Sequence, residues 1–286
     1  MSGKILDVWG AGQLMAWSGL DGATDYYNGL VMRTSFNGTG FDIRQPDAGG
    51  MVRFSDEELT RGELTIAGDF FRIGNCRGAF VDACHFLMEG DFLVTVGDEM
   101  KLMAAGGKYL IGTATMFRPE LFDLAVDEII AAREQALLGL PVPSGIPVLT
   151  EKTLRKSYSQ LRTQIYTPVD NIKYRWTTPD RWPHRRMWLW DSVFHAIGIR
   201  HVDVQLAREA IMSMLEVQRN DGFIPHCVAP DHYSAITQPP ILALGVKLVN
   251  AFEPSPAWLR QVYPRLKAYL EWDMANRDSD GSGLLE

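Results

Sequence analysis

The sequence predicts a multidomain protein of α and β parts: a β-rich, sandwich-like region over residues 1–118, a helix and proline-rich linker over 119–149, and a helical region over 150–286. Three observations carry this reading. Short apolar or alternating runs punctuated by glycine fill the first part. The segment Leu140-Pro141-Val142-Pro143-Ser144-Gly145-Ile146-Pro147 cannot continue a helix and reads as a linker. Beyond it, apolar residues recur at the 3.6-residue period of helices.

In chain order, Gly29–Thr34, Glu63–Ile66 and Asp91–Val96 read as strands. Asn37-Gly38, Asp47-Ala48-Gly49-Gly50, Glu89-Gly90 and Gly106-Gly107 read as the turns between strands. Regular short strands with such punctuation suggest a sandwich. Gly10-Ala11-Gly12-Gln13-Leu14 lacks the spacing of a nucleotide-binding loop and is dismissed as one. Trp17–Gly22 and Tyr26-Tyr27 read as turn and packing residues. A helix is expected from Pro119 to Leu138, with Leu121, Leu124, Ala125, Glu128, Ile129 and Ala132 on its packed stripe and Gly139 ending it.

In the helical part, Thr150 is placed to cap a helix carrying Leu154, Tyr158, Leu161 and Ile165. A long polar, aromatic loop follows, with Tyr174, Trp176, Trp182 and His184; loops of such length in compact domains tend to be functional. The run from Arg185 to about Arg200 is read as a helix, and Asp203 as the cap of the next. Pro239-Pro240 is read as opening a third, and Ser255-Pro256 a fourth with Leu259, Val262, Leu266, Tyr269 and Leu270 inward. No sequence repeat is obvious, so periodicity alone gives "all-α" for this part.

Apolar content of 46% with 22% charged residues describes a globular chain with ample core, and a net charge of -7 argues against nucleic-acid partners. The three cysteines, Cys76, Cys84 and Cys227, have neither disulfide-framework nor zinc spacing, which fits a reducing compartment. No secretory signal and no membrane-spanning run is visible, so the cytoplasm is the expected location.

The most informative run is Arg185-Arg186-Met187-Trp188-Leu189-Trp190-Asp191-Ser192-Val193-Phe194-His195. On a helix, Trp188, Asp191, Ser192 and His195 share one stripe, and Trp190, Val193, Phe194 and Ile197 the opposite one. A carboxylate beside indoles can grip sugar hydroxyls while a ring packs on C–H faces; it can also simply cap a core helix. A carboxyl among tryptophans would hold its proton more tightly, so Asp191 is also a conceivable general acid.

Two further motifs follow, Gln218-Arg219-Asn220-Asp221-Gly222-Phe223-Ile224-Pro225-His226 and Thr237-Gln238-Pro239-Pro240. As an ordered set, W-x-W-D-S-x-F-H-A, Q-x-x-D-G-x-I-P-H and Q-P-P resemble the inverting α-glycosidases built on an (α/α)6 barrel. The resemblance is to glycoside hydrolase family 63 and its mannosylglycerate- and glucosylglycerate-hydrolase relatives, and it runs from about Arg185 to Glu286. It implies that the helical region is the first part of such a toroid, and that no cofactor is needed. It also implies an oligosaccharide or small glycoside as substrate, bound by Trp188, Trp190, Asp191 and Gln238, with His226 as a further contact or a loop anchor.

In that family the acid aspartate follows a D-x-D-G-x-G-L turn, matched here by Asp278–Leu284, and the base is a later glutamate, so both are expected past Glu286. That placement implies a barrel left incomplete by the chain, whose last helices would expose apolar flanks and pair with another copy or a second chain. Asp278, Asp280 and Ser282 also match the first half of a calcium loop, though a helix-ending turn explains them as well. His195 is read as a hydrogen-bond partner of Asp191. Competing functions are a non-catalytic carbohydrate-binding protein and a sugar epimerase using two of His195, His226 and His232.

Overall fold

The structure is a computed structural model that describes residues 14–35, 39–45, 48–61 and 64–285. The dismissed glycine loop at 10–13, the Asn37-Gly38 turn and Asp47 lie outside the described residues. The chain forms two compact units, Met1–Ile165 and Tyr166–Glu286.

The first unit holds two antiparallel sheets. One has the order β1 (Leu14–Ala16), β2 (Val31–Thr34), β3 (Gly40–Gln45), β4 (Ala48–Phe54) and β9 (Phe92–Val96). The other runs β10 (Met100–Ala105), β11 (Lys108–Thr113), β8 (His85–Glu89), β7 (Cys76–Asp82), β6 (Phe70–Ile73) and β5 (Thr65–Ile66). A six-residue helix α1, Asp56–Arg61, follows β4. The period-two alternation does the sorting: in β3, Phe41 and Ile43 are buried while Asp42 and Arg44 lean outward. The two inner faces share one core, in which Phe41 of the first sheet meets Phe71 of the second at 4.7 Å between ring centroids. Gly90 has a positive φ of 141° and lies so close to Cys76 that a Cβ there would sit 2.4 Å from its Sγ. Only glycine fits that corner.

The helix expected from Pro119 instead begins as a 3₁₀ turn, Pro119–Asp123, and the α-helix α2 spans Val126–Leu138. Its buried residues are Val126, Ile130 and Leu137, so the packed face is rotated from the expected stripe, and Ala125, Glu128 and Ala132 are exposed. The extended backbone of Leu124 and Ala125 separates the two pieces.

Helix α3 spans Val148–Thr163, with Pro147 rather than Thr150 at its N-cap, and falls within the first unit. Its buried side chains are polar: Arg155, Ser159, Arg162 and Thr163. Arg155 donates to the carbonyl of Leu137 at 2.9 Å, closing the end of α2. Ser159 Oγ accepts from the Gly68 N–H at 2.9 Å, and Arg162 pairs with the buried Asp69. Leu154, Tyr158 and Leu161 are only partly covered. An apolar-stripe reading therefore picks the wrong face of this helix. The residues that dock it are polar groups whose partners lie far away in sequence.

After β12 (Ile165–Tyr166) the second unit carries β13 (Trp176–Thr177), β14 (Met187–Trp188), α4 (Leu189–Ile199), α5 (Val204–Glu216), β15 (Cys227–Ala229), β16 (His232–Tyr233), α6 (Leu242–Phe252) and α7 (Pro256–Asn276). Asp203 caps α5 by accepting from the Leu206 N–H, and Ser255 caps α7 through the Trp258 N–H. Helix α6 starts at Leu242 and not at Pro239-Pro240, because a residue before proline is pushed to extended backbone. Along α7, Trp258, Val262 and Tyr269 are buried, but Leu259 and Leu270, expected inward, are 36% and 40% exposed. With Tyr263, Leu266 and Met274 of α7 and Ala243 of α6, Leu270 lines an apolar groove of about 720 Å³. Among the described residues, no helix is long and apolar enough to cross a membrane.

Candidate functional site

The three motifs singled out in the sequence converge at the amino end of α4. Trp188 lies in strand β14, which pairs with β15 in the register Met187↔Val228 and Trp188↔Cys227. Arg185–Arg200 is therefore not one helix: the first indole sits on a sheet and the helix begins at Leu189. The Leu189 N–H donates to the carbonyl of His226 at 2.9 Å, and the Trp190 N–H to Gln238 Oε1 at 3.0 Å. A helix N-terminus presents N–H groups that need acceptors, and the N-cap here is Trp188, which has no acceptor side chain. Gln238 supplies one from 48 residues away. The capping reading of Asp191 is thereby corrected: Asp191 is inside the first turn, and a residue of the third motif does the capping.

Asp191 is half-buried, and burial raises its pKa above the ordinary aspartate value. A hydrogen bond from the Trp190 side chain and the nearby His184 oppose that shift. His195 is not its partner. The buried Nδ1 of His195 meets no hydrogen-bond partner, and burial depresses the pKa of this ring to about 4. Trp188 Nε1 and Ser192 Oγ, on the same stripe, are likewise enclosed without a partner.

The opposite stripe is also corrected. Val193 is buried, but Trp190 is 42% and Phe194 53% exposed, in an edge-on contact with centroids 6.4 Å apart. Two large aromatic rings thus remain open beside the Asp191 carboxylate, where a core helix would have covered them.

His226 stands edge-on to Trp188, with ring centroids 5.1 Å apart. Its Nδ1 lies 2.6 Å from Ser234 Oγ, which donates to the Ile236 carbonyl at 2.9 Å. The serine proton is thus engaged, so His226 Nδ1 carries the hydrogen and Nε2 is left as an acceptor. Burial lowers the pKa of His226, and the charges of His232 and Arg186 lower it further, which keeps the ring neutral. Gln238 is held from behind: Tyr269 Oη donates to its carbonyl at 2.8 Å and lies 2.6 Å from Thr237 Oγ1. Burial pushes the pKa of Tyr269 up to about 12. Asp221 makes a tight turn, accepting from the Phe223 N–H at 3.2 Å. Gly222 has a φ of 102° and packs so tightly that a Cβ would sit 2.3 Å from the Ala268 carbonyl of α7.

The calcium-loop residues are turned onto their own backbone. Asp278 accepts from the Gly283 N–H at 3.0 Å, and Asp280 from the Ser282 N–H at 3.0 Å. Among the described residues, no group of three or more His, Cys, Asp or Glu side chains is placed to hold a metal. All three cysteines are free and buried. Sequence reading missed Ser234, Thr237 and Arg186 as parts of this site. Alternation in Arg186-x-Trp188 could have revealed a strand ahead of the helix; nothing local marks Ser234.

Residues 183–286 match the family model described as the Mannosylglycerate hydrolase MGH1-like glycoside hydrolase domain. Mannosylglycerate hydrolase MGH1 of Selaginella moellendorffii is 27% identical over 140 residues, which are 41% of this chain and 29% of that protein. The mannosylglycerate hydrolase of Thermus thermophilus is 29% identical over 140 residues, 40% of this chain and 34% of that protein. The crystal structure of a family 63 mannosylglycerate hydrolase from Thermus thermophilus, in complex with Tris, aligns at 30% identity and a TM-score of 0.36. That alignment covers 38% of this chain and 32% of the other. The chain spans about a third of the length of the curated relatives it matches. The matched segment holds all three motifs that meet at the head of α4, and over that segment the chain is similar to the mannosylglycerate hydrolase-like glycoside hydrolases.

Proposed function

We propose that this chain supplies the sugar-binding part of a site that acts on α-linked glycosides of the mannosylglycerate type, by hydrolysis with inversion, and that residues 188–238 hold the sugar being cleaved. In this reading Trp188 and Trp190 wall the ring, Asp191 accepts hydrogen bonds from its hydroxyls, and the free nitrogens of His226 and Gln238 contact its rim. The helices α4 to α7 then belong to an (α/α)6 toroid, and the reaction takes place without a cofactor.

The observation that carries the proposal is the convergence of three separated motifs on one helix end, with a half-buried carboxylate next to an open indole. A purely structural cluster would have closed over Trp190, which is 42% exposed. Inverting hydrolysis requires a carboxylic acid and a carboxylate ~6.5–9.5 Å apart. Asp191 is assigned to neither role; it is a ligand whose raised proton affinity comes from the apolar wall. The epimerase reading is not favoured, since His195 at a pKa of about 4 is a poor proton carrier at neutral pH.

Titration of the protein with mannosylglycerate, followed by tryptophan fluorescence and calorimetry, tests the reading. Saturable binding is expected, and Asp191→Ala should weaken it about 10- to 100-fold, the worth of a charged hydrogen bond. Proton NMR of the sugar released in a hydrolysis assay then reports its anomeric configuration. Undiminished binding in both Asp191→Ala and Trp188→Ala would remove the site from consideration.

A further inference from the structure

Building on the saccharide reading above, we infer that Gln218, the first residue of the Q-x-x-D-G-x-I-P-H motif, is a positioning residue for the sugar site. It clasps the Asp221-Gly222 turn to α7, and so registers His226 to the same helix that holds Gln238.

A chain leaving a helix end carries carbonyls that need donors. Helix α5 closes at Glu216, and residues 219–223 then turn back on themselves. In that turn the Gly222 N–H donates to the Arg219 carbonyl at 3.0 Å, and the Arg219 N–H to the Phe223 carbonyl at 2.9 Å. Asp221 shapes the turn by engaging Arg219 and the Phe223 N–H. Gln218 attaches it. Its Nε2 donates to the Gly222 carbonyl at 2.8 Å and to the Arg265 carbonyl of α7 at 2.9 Å. An amide group has two N–H donors, and here both are used on backbone. Arg265 reciprocates: Nη1 donates to the Leu215 carbonyl in the last turn of α5 at 2.6 Å, and Nη2 pairs with Glu216 at 3.0 Å. Each side chain thus closes on the backbone of the other's element.

The path from this clasp to the pocket has little slack. Residues 222–225 are all buried, Phe223 meets Trp272 of α7 edge-on with ring centroids 4.8 Å apart, and Pro225 has its φ locked by its ring. His226 comes next, its N–H donating to the Ile236 carbonyl at 2.8 Å and its ring 5.1 Å from that of Trp188. On α7, Arg265, Ala268, Tyr269 and Trp272 recur at i, i+3, i+4 and i+7 and share one face. Arg265, Ala268 and Trp272 meet the turn, while Tyr269 donates to the Gln238 carbonyl. Arg265 and Tyr269 are one helical turn apart, about 6 Å along the axis. Two proposed sugar contacts from different motifs therefore take their spacing from one rigid helix, and Gln218 is the side chain that ties the first of them to it.

The test uses two variants and a control. Gln218→Met keeps the length of the side chain and removes both donors; Gln218→Glu keeps the shape and sets acceptor oxygens against two carbonyls. The His226 ring protons stand beside the indole of Trp188, so their NMR shifts report the geometry of that pair without any ligand. These shifts should move in Gln218→Met and move further the same way in Gln218→Glu. Affinity for mannosylglycerate should fall about threefold to tenfold in Gln218→Met. Ser255→Ala removes the cap at the far end of α7, and should lower the melting temperature while leaving the His226 shifts and the affinity as in the unmodified protein. Unmoved His226 shifts in Gln218→Met, equal movement in Ser255→Ala, or moved shifts with undiminished affinity each overturn the positioning role, whatever happens to stability. Should Gln218→Glu not fold, Gln218→Met decides alone. Shifts that move as expected in a protein that binds no mannosylglycerate leave the clasp standing and overturn the saccharide reading; no binding together with unmoved shifts overturns both.

Discussion

Two acid groups, Asp69 in the first unit and Asp191 in the second, are both withdrawn from water but differ in what meets them. Asp69 is 1% exposed and contacts the guanidinium of Arg162, which itself is 2% exposed. Asp191 is half-buried and is met by a backbone N–H, an indole N–H and a histidine, but by no guanidinium. Burying a charge is tolerable when a full counter-charge with good hydrogen bonds accompanies it. The first acid meets that condition within the fold and acts as a joint between a β-turn and α3. The second does not, and two exposed aromatic rings, Trp190 and Phe194, stand near it in the same helix. A carboxylate supported by weak partners is the one available to a ligand.

The contrast can be broken most forcefully at Arg162. Arg162→Leu strands Asp69 as an unpaired buried carboxylate, at a cost of roughly 3–5 kcal/mol. Urea unfolding should show that loss, and the double variant Arg162→Leu with Asp69→Leu should recover much of it. A single variant as stable as the parent protein would mean that the pair does not hold α3 in place.

Asp191 should behave in the opposite sense. Its pKa is raised on folding, so its contribution to stability is fully present below the unfolded value of about 3.9 and is lost as pH rises through the folded value. Asp191→Asn removes that loss. The variant should melt above the parent at pH 7, with the gap closing as pH falls toward the unfolded value. Melting curves from pH 3 to pH 8 check this, and a variant less stable at pH 7 would show that the carboxylate is structural after all.

The smallest effect is expected at Tyr269, which steadies Gln238 without touching the proposed ligand. Tyr269→Phe deletes two hydrogen bonds at about 1 kcal/mol each. Stability should fall by that order, and sugar affinity by a few-fold through the loosened glutamine. Unchanged affinity alongside reduced stability would confine Tyr269 to packing.

Much of this was legible in residue order because it depends on near neighbours. The strands of the first unit follow from alternation and glycine turns, and the caps at Asp203 and Ser255 follow from a single side chain reaching its own helix. The ordered motifs carried the family resemblance and picked out the residues worth watching. Where expectation failed, the missing information was a distant partner. Helix α3 docks by Arg155, Ser159 and Arg162, whose acceptors and donors lie on α2 and on the turn at Gly68-Asp69. The head of α4 is capped by Gln238, so Asp191 is not spent on that role.

Residue order by itself determined most of the strands and helices and which side chains could do sugar chemistry, since periodicity and side-chain type are local properties. Tertiary structure alone decided which of those side chains remain available. A hydrogen-bonding group is free or engaged according to what the fold brings within about 3 Å of it, and for Gln238 and Arg186 those neighbours come from elsewhere in the chain.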